Sequence, residues 1–306
     1  MILNNPNNQT VLITGGCGFI GSHLVDKCVE LGMRVIVVDI RKKYINTKAQ
    51  YLFHDIRDLD RMRSIFQEHK PIFVFHLAAI PSVQYSIENP EETHSVNIDG
   101  TNNVLMVAKE FGVKRLIYAA SGSAYGNQQK MPLNEDMKAD PLSPYGLQKY
   151  VSELLCKQFS LQYGIETVCL RYFNVYGSRL DPNGAYALVI GKFLKQRSEG
   201  LPMTITGDGT QTRDFTHVSD VVEANILAMK SDRVGRGEVI NIGSGKSNDI
   251  NELAALIGGP VEYIDSRLEP KHTCADNMKA KDLLGWKPLV VLEDGIKDLK
   301  KEWRLS

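Results

Sequence analysis

Apolar and polar positions along the chain follow two periods. Short runs rich in β-branched residues, Val11 to Thr14, Arg34 to Val38, Ile72 to His76, Arg115 to Ala119 and Glu166 to Leu170, are each preceded or followed by an amphipathic stretch of helical spacing. That alternation predicts a parallel sheet covered by helices. Two of the runs, Val-Ile-Val-Val and Ile-Phe-Val-Phe, are almost continuously apolar, as suits strands buried on both faces. After Arg171 the pattern changes: turns rich in Gly, Asp, Asn and Pro, from Ser178 to Gly184 and from Gly207 to Gln211, separate shorter elements and predict a smaller lobe. Val239 to Ile242 reads as a strand returning to the main sheet, and from Lys246 the chain goes back to the lobe. The predicted fold class is α/β: a Rossmann-type doubly wound parallel sheet from residues 1–173 and about 214–245, with a smaller C-terminal α/β lobe from about 174–213 and 246–306, interleaved in sequence.

Composition narrows the functions open to such a fold. The 306 residues carry 36 Lys plus Arg against 36 Asp plus Glu, so no global field draws the chain to nucleic acid or an anionic membrane, and any anionic ligand needs a local site. The five cysteines are scattered without a Cys-x-x-Cys pair, and the seven histidines show no metal-ligand spacing; neither a disulfide framework nor a metal is expected. The polar start has no secretory character, and no apolar run approaches the roughly 20 residues that span a bilayer. The expected location is a reducing cytoplasm.

Chemistry enters at the first strand. Gly15-x-x-Gly18-x-x-Gly21, with Phe19 and Ile20 inside it, follows that strand and opens a helix, and Asp39 closes the second strand. Glycines there allow the tight turn and let a pyrophosphate approach the backbone at the helix N-terminus, while an acid at the second strand takes the adenosine ribose and disfavours a 2′-phosphate. The expected cofactor is NAD, with Arg41 and Lys42 able to soften that preference.

A second constellation is Tyr145 and Lys149, four apart, with Ser121 upstream. On a helix that step puts phenol and ammonium on one face. Bringing a tyrosine pKa from roughly 10 to near 7 requires about 4 kcal/mol. An ammonium about 5 Å away at an effective dielectric of about 20 supplies roughly 3 kcal/mol. Lys149 alone falls short, and an oxidised nicotinamide and the Ser121 hydroxyl are natural suppliers of the rest. By itself Tyr-x-x-x-Lys is common on solvated helix faces; the glycine loop is what turns it into a candidate base for hydride chemistry.

With these residues in place the sequence resembles the extended short-chain dehydrogenase/reductase family, and within it the UDP-hexose and UDP-N-acetylhexosamine 4-epimerases. The resemblance spans nearly the whole chain: Thr-Gly-Gly-Cys-Gly-Phe-Ile-Gly, Asp55-Ile56, His76-Leu-Ala-Ala, Asn97, Ser121 to Gly126, Tyr145-x-x-x-Lys149, Arg171-Tyr-Phe-Asn-Val-Tyr-Gly, Asp181-Pro-Asn-Gly-Ala-Tyr, Gly207-Asp-Gly-x-x-x-Arg213-Asp-Phe and His272-Thr-Cys-Ala-Asp. It implies catalysis by Ser121, Tyr145 and Lys149. It places Asp55 and Ile56 beside the adenine, Leu77, Ala78 and Ala79 along the cofactor cleft, and Tyr172 near the nicotinamide. Around a UDP-sugar it implies Ser82 and Ser123 with Ser121 and Tyr145, Asn174 at the diphosphate, Ala187, Leu188 and Val189 at the uracil, Arg213 and Arg267 at the phosphates, and Glu269 at the ribose. A homodimer through the Tyr145 helix, which carries Leu147, Val151, Leu154, Leu155 and Phe159, is implied as well.

Neighbouring reactions are separated by single positions. The related 4,6-dehydratases carry an Asp-Glu pair right after the hydroxyl residue, where this chain has Gly122 and Ser123, so dehydration is not expected. No carboxylate clamp for a uronate is evident. A net reductase conflicts with Asp39, and a sensor or scaffold module conflicts with retention of all three catalytic residues. By the resemblance, Thr273 matches a position where a bulky tyrosine in the epimerases closes the pocket over the sugar C2 substituent, so acetylated and plain hexoses are both expected to enter; the alternative is a packing role in its loop. The sequence departs from the family in a short Asp39–Asp55 segment, a shortened Arg267–Thr273 stretch, and Gly122 in place of a serine.

Overall fold

The structure, a computed structural model, describes residues 9–182, 189–266 and 270–305. In its first half, β1 (Thr10–Thr14), α1 (Phe19–Glu30), β2 (Arg34–Asp39), β3 (Gln50–Phe53), α2 (Leu59–His69) and β4 (Phe73–His76) alternate. Two short helices, α3 (Val83–Glu88) and α4 (Pro90–His94), lead through a π-helical turn at Ser95–Asp99 into α5 (Gly100–Glu110). Next come β5 (Arg115–Ser121), a 3-10 turn at Gly122–Tyr125, α6 (Pro144–Tyr163), β6 (Glu166–Tyr172) and β7 (Val175–Tyr176). The second half holds α7 (Val189–Ser198), β8 (Met203–Thr206), β9 (Thr212–Asp214), β10 (Thr216–His217), α8 (Val218–Lys230) and β11 (Arg236–Ile242). It ends with β12 (Ser247–Asp249), α9 (Ile250–Ile257), β13 (Val261–Ile264), α10 (Met278–Leu284) and α11 (Leu292–Glu302).

Seven strands form one sheet in the order β11-β6-β5-β4-β1-β2-β3, and every neighbouring pair is parallel. The chain runs outward from β1 to β3, then returns to lay β4 against the other side of β1, so the strand order reverses between β1 and β4. In such sheets the crevice beyond the strand ends at that reversal is where ligands bind. The period-2 alternation of the strands divides the core between two faces. Val11, Ile13, Val35, Val37, Phe73 and Phe75 pack with Leu24 of α1 and Val221 of α8. Leu12, Ile36, Val38, Val74 and Leu116 pack with Phe66 of α2, Leu105 of α5 and Phe159 of α6. Three two-stranded pairs, β7 with β10, β9 with β12 and β8 with β13, accompany a third apolar cluster that includes Phe193, Ile205, Leu253 and Ile296.

Helix α6 matters most for function, and its limits follow from its sequence. Ser143 caps it by accepting from the Gly146 N–H at 3.1 Å, Pro144 fits its first turn, and Gly164 ends it at a left-handed φ of 72°. The strands extend further than their apolar runs predicted: β5 continues to Ser121 and β6 to Tyr172, and these two residues lie in register at the carboxyl edge of the sheet. Strand β3 lacks the apolar run that marks the others, because it is an edge strand with no fully buried residue.

Candidate active site

The loop from β1 into α1 forms the first part of the site. Gly15 sits at φ 71°, donates its N–H to Val38 O at 2.9 Å, and accepts from Gly18 N–H at 3.1 Å. A Cβ on Gly15 would lie 2.7 Å from Ala78 N, and one on Gly21 only 2.1 Å from Gly15 O, so both positions exclude a side chain. Gly18 caps α1 without any side-chain hydrogen bond, leaving the helix N-terminus open to an anion, with Phe19 and Ile20 in its first turn. Asp39 Oδ2 accepts from Cys17 N–H at 2.9 Å and Oδ1 from Arg41 N–H at 2.9 Å, which fixes the carboxylate beside the loop with lone pairs left for a ribose diol. These residues fit a dinucleotide: an uncapped helix N-terminus, a backbone cradle that a side chain would fill, and an oriented acid. Asp55 is engaged by the Arg57 guanidinium, with Arg57 Nη2 donating to Oδ2 at 2.6 Å, and Ile56 is buried in the core under α5.

The wall of the crevice after β4 is held from behind by a buried polar network. Leu77 N–H donates to Thr14 O at 3.1 Å and Ala78 N–H to Thr14 Oγ1 at 3.2 Å. The Thr14 hydroxyl pairs with His76 Nδ1 at 2.7 Å, and His76 Nε2 with Thr101 Oγ1 at 2.9 Å. Because the Thr101 hydroxyl donates to Asn97 O at 2.7 Å, the imidazole proton resides on Nε2. Burial, then the nearby Lys149 charge, push His76 down to about 3, so it is a neutral packing residue. Asn97 clamps the segment beyond Ala79: its Oδ1 accepts from Ile80 N–H at 2.8 Å and its Nδ2 donates to Gln148 Oε1 of α6 at 2.8 Å. The sequence assigned no role to the side chains of Thr14, Thr101 and Gln148, because each is an ordinary polar residue whose partners come from other elements.

Ser121, Tyr145 and Lys149 meet at the carboxyl end of β5. Ser121 Oγ accepts from Ser123 N–H at 3.2 Å and from the Ser123 hydroxyl at 2.9 Å. Tyr145 N–H donates to Ser86 Oγ at 3.0 Å, which ties the start of α6 to α3, whose own N-cap is Ser82. Burial pushes the Tyr145 phenol up to about 12, and a hydrogen bond with Ser121 opposes the shift. Lys149 donates to Ala119 O at 2.8 Å, its Nζ lying 4.8 Å from the Tyr118 ring centroid and 6.0 Å from that of Tyr145. Burial lowers it to about 8, and Glu153 raises it.

Across the crevice, Asn174 holds a φ of 27°, a conformation asparagine tolerates better than most residues, and donates from Nδ2 to Asp214 O at 3.1 Å. Arg213 Nη1 donates to Thr212 O at 2.9 Å. Asp214, to which the sequence reading gave no role, joins three segments: it accepts from Ser244 N–H at 2.7 Å, Gly245 N–H at 3.0 Å and Ala275 N–H at 2.9 Å. Thr273, in the last of these segments, donates its N–H to Thr212 O at 3.1 Å, while its Oγ1 is buried without a partner among the described residues. Val189 opens α7. Tyr172 turns its phenol into the core under α8, donating to Asn225 Oδ1 at 3.0 Å, so only its backbone lies at the sheet edge. Ala187, Leu188, Arg267 and Glu269 lie outside the described residues. Among the described residues no group of three or more His, Cys, Asp or Glu could hold a metal ion, and no helix is long and apolar enough to cross a membrane.

The sequence model of the NAD dependent epimerase/dehydratase family matches residues 11–243, from the first strand of the sheet to the end of its last. The chain belongs to that family. Its cofactor is NAD, and it is an isomerase of the UDP-sugar 4-epimerase type. A solved UDP-glucose 4-epimerase from Thermotoga maritima, with UDP-glucose, is 40% identical and superposes with a TM-score of 0.92, covering 97% of this chain and 99% of that one. A UDP-N-acetylglucosamine 4-epimerase from Methanobrevibacter ruminantium, solved with UDP-N-acetylmuramic acid, is 35% identical with a TM-score of 0.90, covering 97% and 98%. A UDP-glucuronate 4-epimerase from Thermodesulfobacterium geofontis is 38% identical over 309 residues, 94% of this chain and 93% of that protein.

Proposed function

We propose that this epimerase interconverts the C4 epimers of UDP-glucose and of UDP-N-acetylglucosamine. The observation that carries the reading is the meeting of Ser121, Tyr145 and Lys149 at the sheet edge beside the glycine loop, with Gly122 and Ser123 in place of the acid pair of the dehydratases. Tyr145 takes the proton of the sugar 4-hydroxyl, Ser121 hydrogen-bonds the reacting oxygen, and Lys149 supplies positive charge near the phenol and holds the nicotinamide ribose. NAD, held by the glycine loop and Asp39, would supply reversible hydride transfer at the sugar C4. Tyr145 then gives its proton back to the C4 oxygen. The Rossmann sheet serves the cofactor. The smaller lobe anchors the diphosphate through Asn174 and Arg213, so that the planar 4-keto sugar turns over without leaving.

Thr273 sets the range of substrates. Its side chain is small, which leaves the room that a tyrosine at this position would fill. Thr273→Tyr is expected to lose UDP-N-acetylglucosamine turnover by on the order of 100-fold while UDP-glucose turnover changes little. Steady-state rates on both substrates check this, and equal loss of both contradicts the steric reading. The resemblance to a glucuronate epimerase gives the uronates a place in the same assay.

The working unit is a homodimer joined through α6. Leu155 and Phe159 pack into the sheet, but Leu147, Leu154 and Leu161, seven apart, remain 51%, 47% and 61% exposed. Val83 and Ile87 of α3, which packs beside α6, extend this apolar stripe. Light scattering at micromolar concentration should give twice the chain mass, and a monomeric mass contradicts the dimer.

A further inference from the structure

One turn beyond Lys149, α6 carries a buried carboxylate that the reaction does not touch. Glu153 is 2% exposed and Arg171 of β6 is 3% exposed; Arg171 donates from Nε to Oε1 at 2.8 Å and from Nη2 to Oε2 at 2.6 Å. The guanidinium lies 4.4 Å from the Tyr125 ring centroid, and Tyr125 donates to Asn241 Oδ1 at 2.8 Å. Lys149, Glu153 and Arg171 thus form a file of cation, anion and cation from helix to sheet. Stability alone does not account for it, since a buried ion pair is often matched by apolar residues of similar volume.

The surroundings of Lys149 show what the file does. From α6 it meets Tyr145, Cys156 and Glu153; from β5 the Tyr118 ring and the Ala119 carbonyl; from β4 the neutral His76; and from β6, behind Glu153, Arg171. Among the described residues no carboxylate forms a direct ion pair with Lys149, and Glu153 is the anion that acts on it. Burial raises the Glu153 carboxyl and the Arg171 hydrogen bonds lower it again, so Arg171 keeps Glu153 ionised.

We infer that Glu153, held on two oxygens by Arg171, is a positioning residue that keeps Lys149 protonated where Tyr145 works. The inference rests on the reading of Lys149 as the ammonium that supports Tyr145. A lysine favoured by an anion loses its proton more readily once the anion is gone, so the loss appears at the alkaline end of the pH profile.

The test uses NAD-loaded protein with lysine labelled at 13Cε, the Lys149 resonance being assigned from Lys149→Met. In Glu153→Gln the Lys149 titration midpoint and the alkaline limb of epimerisation should both move down by about one pH unit, with the acid limb and bound NAD unchanged. If that variant does not fold, the double variant Glu153→Gln/Arg171→Met, which leaves no unpaired charge, should move both in the same direction by less. An unmoved Lys149 midpoint in a folded, NAD-loaded variant overturns the inference. A midpoint that moves while the alkaline limb stays upholds it and refutes the reading of Lys149 as the ammonium needed for turnover.

Discussion

Replacing Tyr145 with phenylalanine is expected to cut turnover by about a thousandfold or more while leaving bound NAD and the fold in place. The magnitude follows from the role: a positioned general acid–base contributes roughly 10²–10⁴-fold, and Tyr145 is the phenol that hydrogen-bonds Ser121, whereas the nearby Tyr172 and Tyr125 donate to Asn225 and Asn241. The change removes one oxygen from a ring that is almost fully buried, so the packing of α6 on the sheet survives. Cofactor retention is the control, because the glycine loop, Asp39 and the Ala78 segment are untouched. Initial rates with extraction and quantification of bound NAD check the prediction, and near-normal activity would remove Tyr145 from the mechanism. The pH sign is also defined. Burial holds the phenol up at about 12, so it is neutral near pH 7 before the cofactor and substrate surround it, and on the acid limb of the profile activity rises with pH as the phenol loses its proton.

The largest effect on stability is expected at Arg115, far from the chemistry. This guanidinium is 2% exposed at the start of β5 and donates to Ala228 O at 2.7 Å, Met229 O at 3.0 Å, Ser231 O at 2.6 Å and Val234 O at 3.0 Å. It satisfies the carbonyls at the end of α8, where the helix dipole favours a cation, and locks that helix to the sheet. Arg115→Met leaves those carbonyls buried and unpaired, at a cost of about 3–5 kcal/mol. For a chain of this length that lowers the melting temperature on the order of 10 °C. Glu166, which takes the fifth Arg115 bond at 2.7 Å, is 38% exposed at its side chain, and Glu166→Gln should cost at most about 1 kcal/mol. Denaturant melts of the two variants make the comparison; equal midpoints would place the stabilisation in the ion pair instead of the helix end.

The two halves of the site differ in how well the sequence disclosed them. Strands β1, β2 and β4 were legible because burial on both faces leaves a continuous apolar run, and the glycine loop was legible because its backbone excludes a Cβ. Ser121, Tyr145 and Lys149 were picked out by the four-residue step taken together with the glycine loop, and one helix and one strand end carry them. Asp214 and Glu153 were not, because their importance lies in partners 30 or more residues away at Ser244 and Ala275, or across a strand at Arg171. A single sequence records a buried carboxylate in the same letter as a solvated one. On an isolated helix face the Lys149 ammonium would lie about 5 Å from the phenol. In the fold Lys149 bonds to Ala119 O and sits over Tyr118, and its own proton affinity is lowered.

The most direct measurement of the central claim is proton NMR of the protein as purified, without added cofactor, incubated separately with UDP-glucose, UDP-N-acetylglucosamine and their uronates. The account predicts C4 epimers of UDP-glucose and UDP-N-acetylglucosamine at equilibrium, with no net oxidised or dehydrated product. Epimerisation of the uronates alone, or accumulation of a reduced or dehydrated sugar, would contradict it.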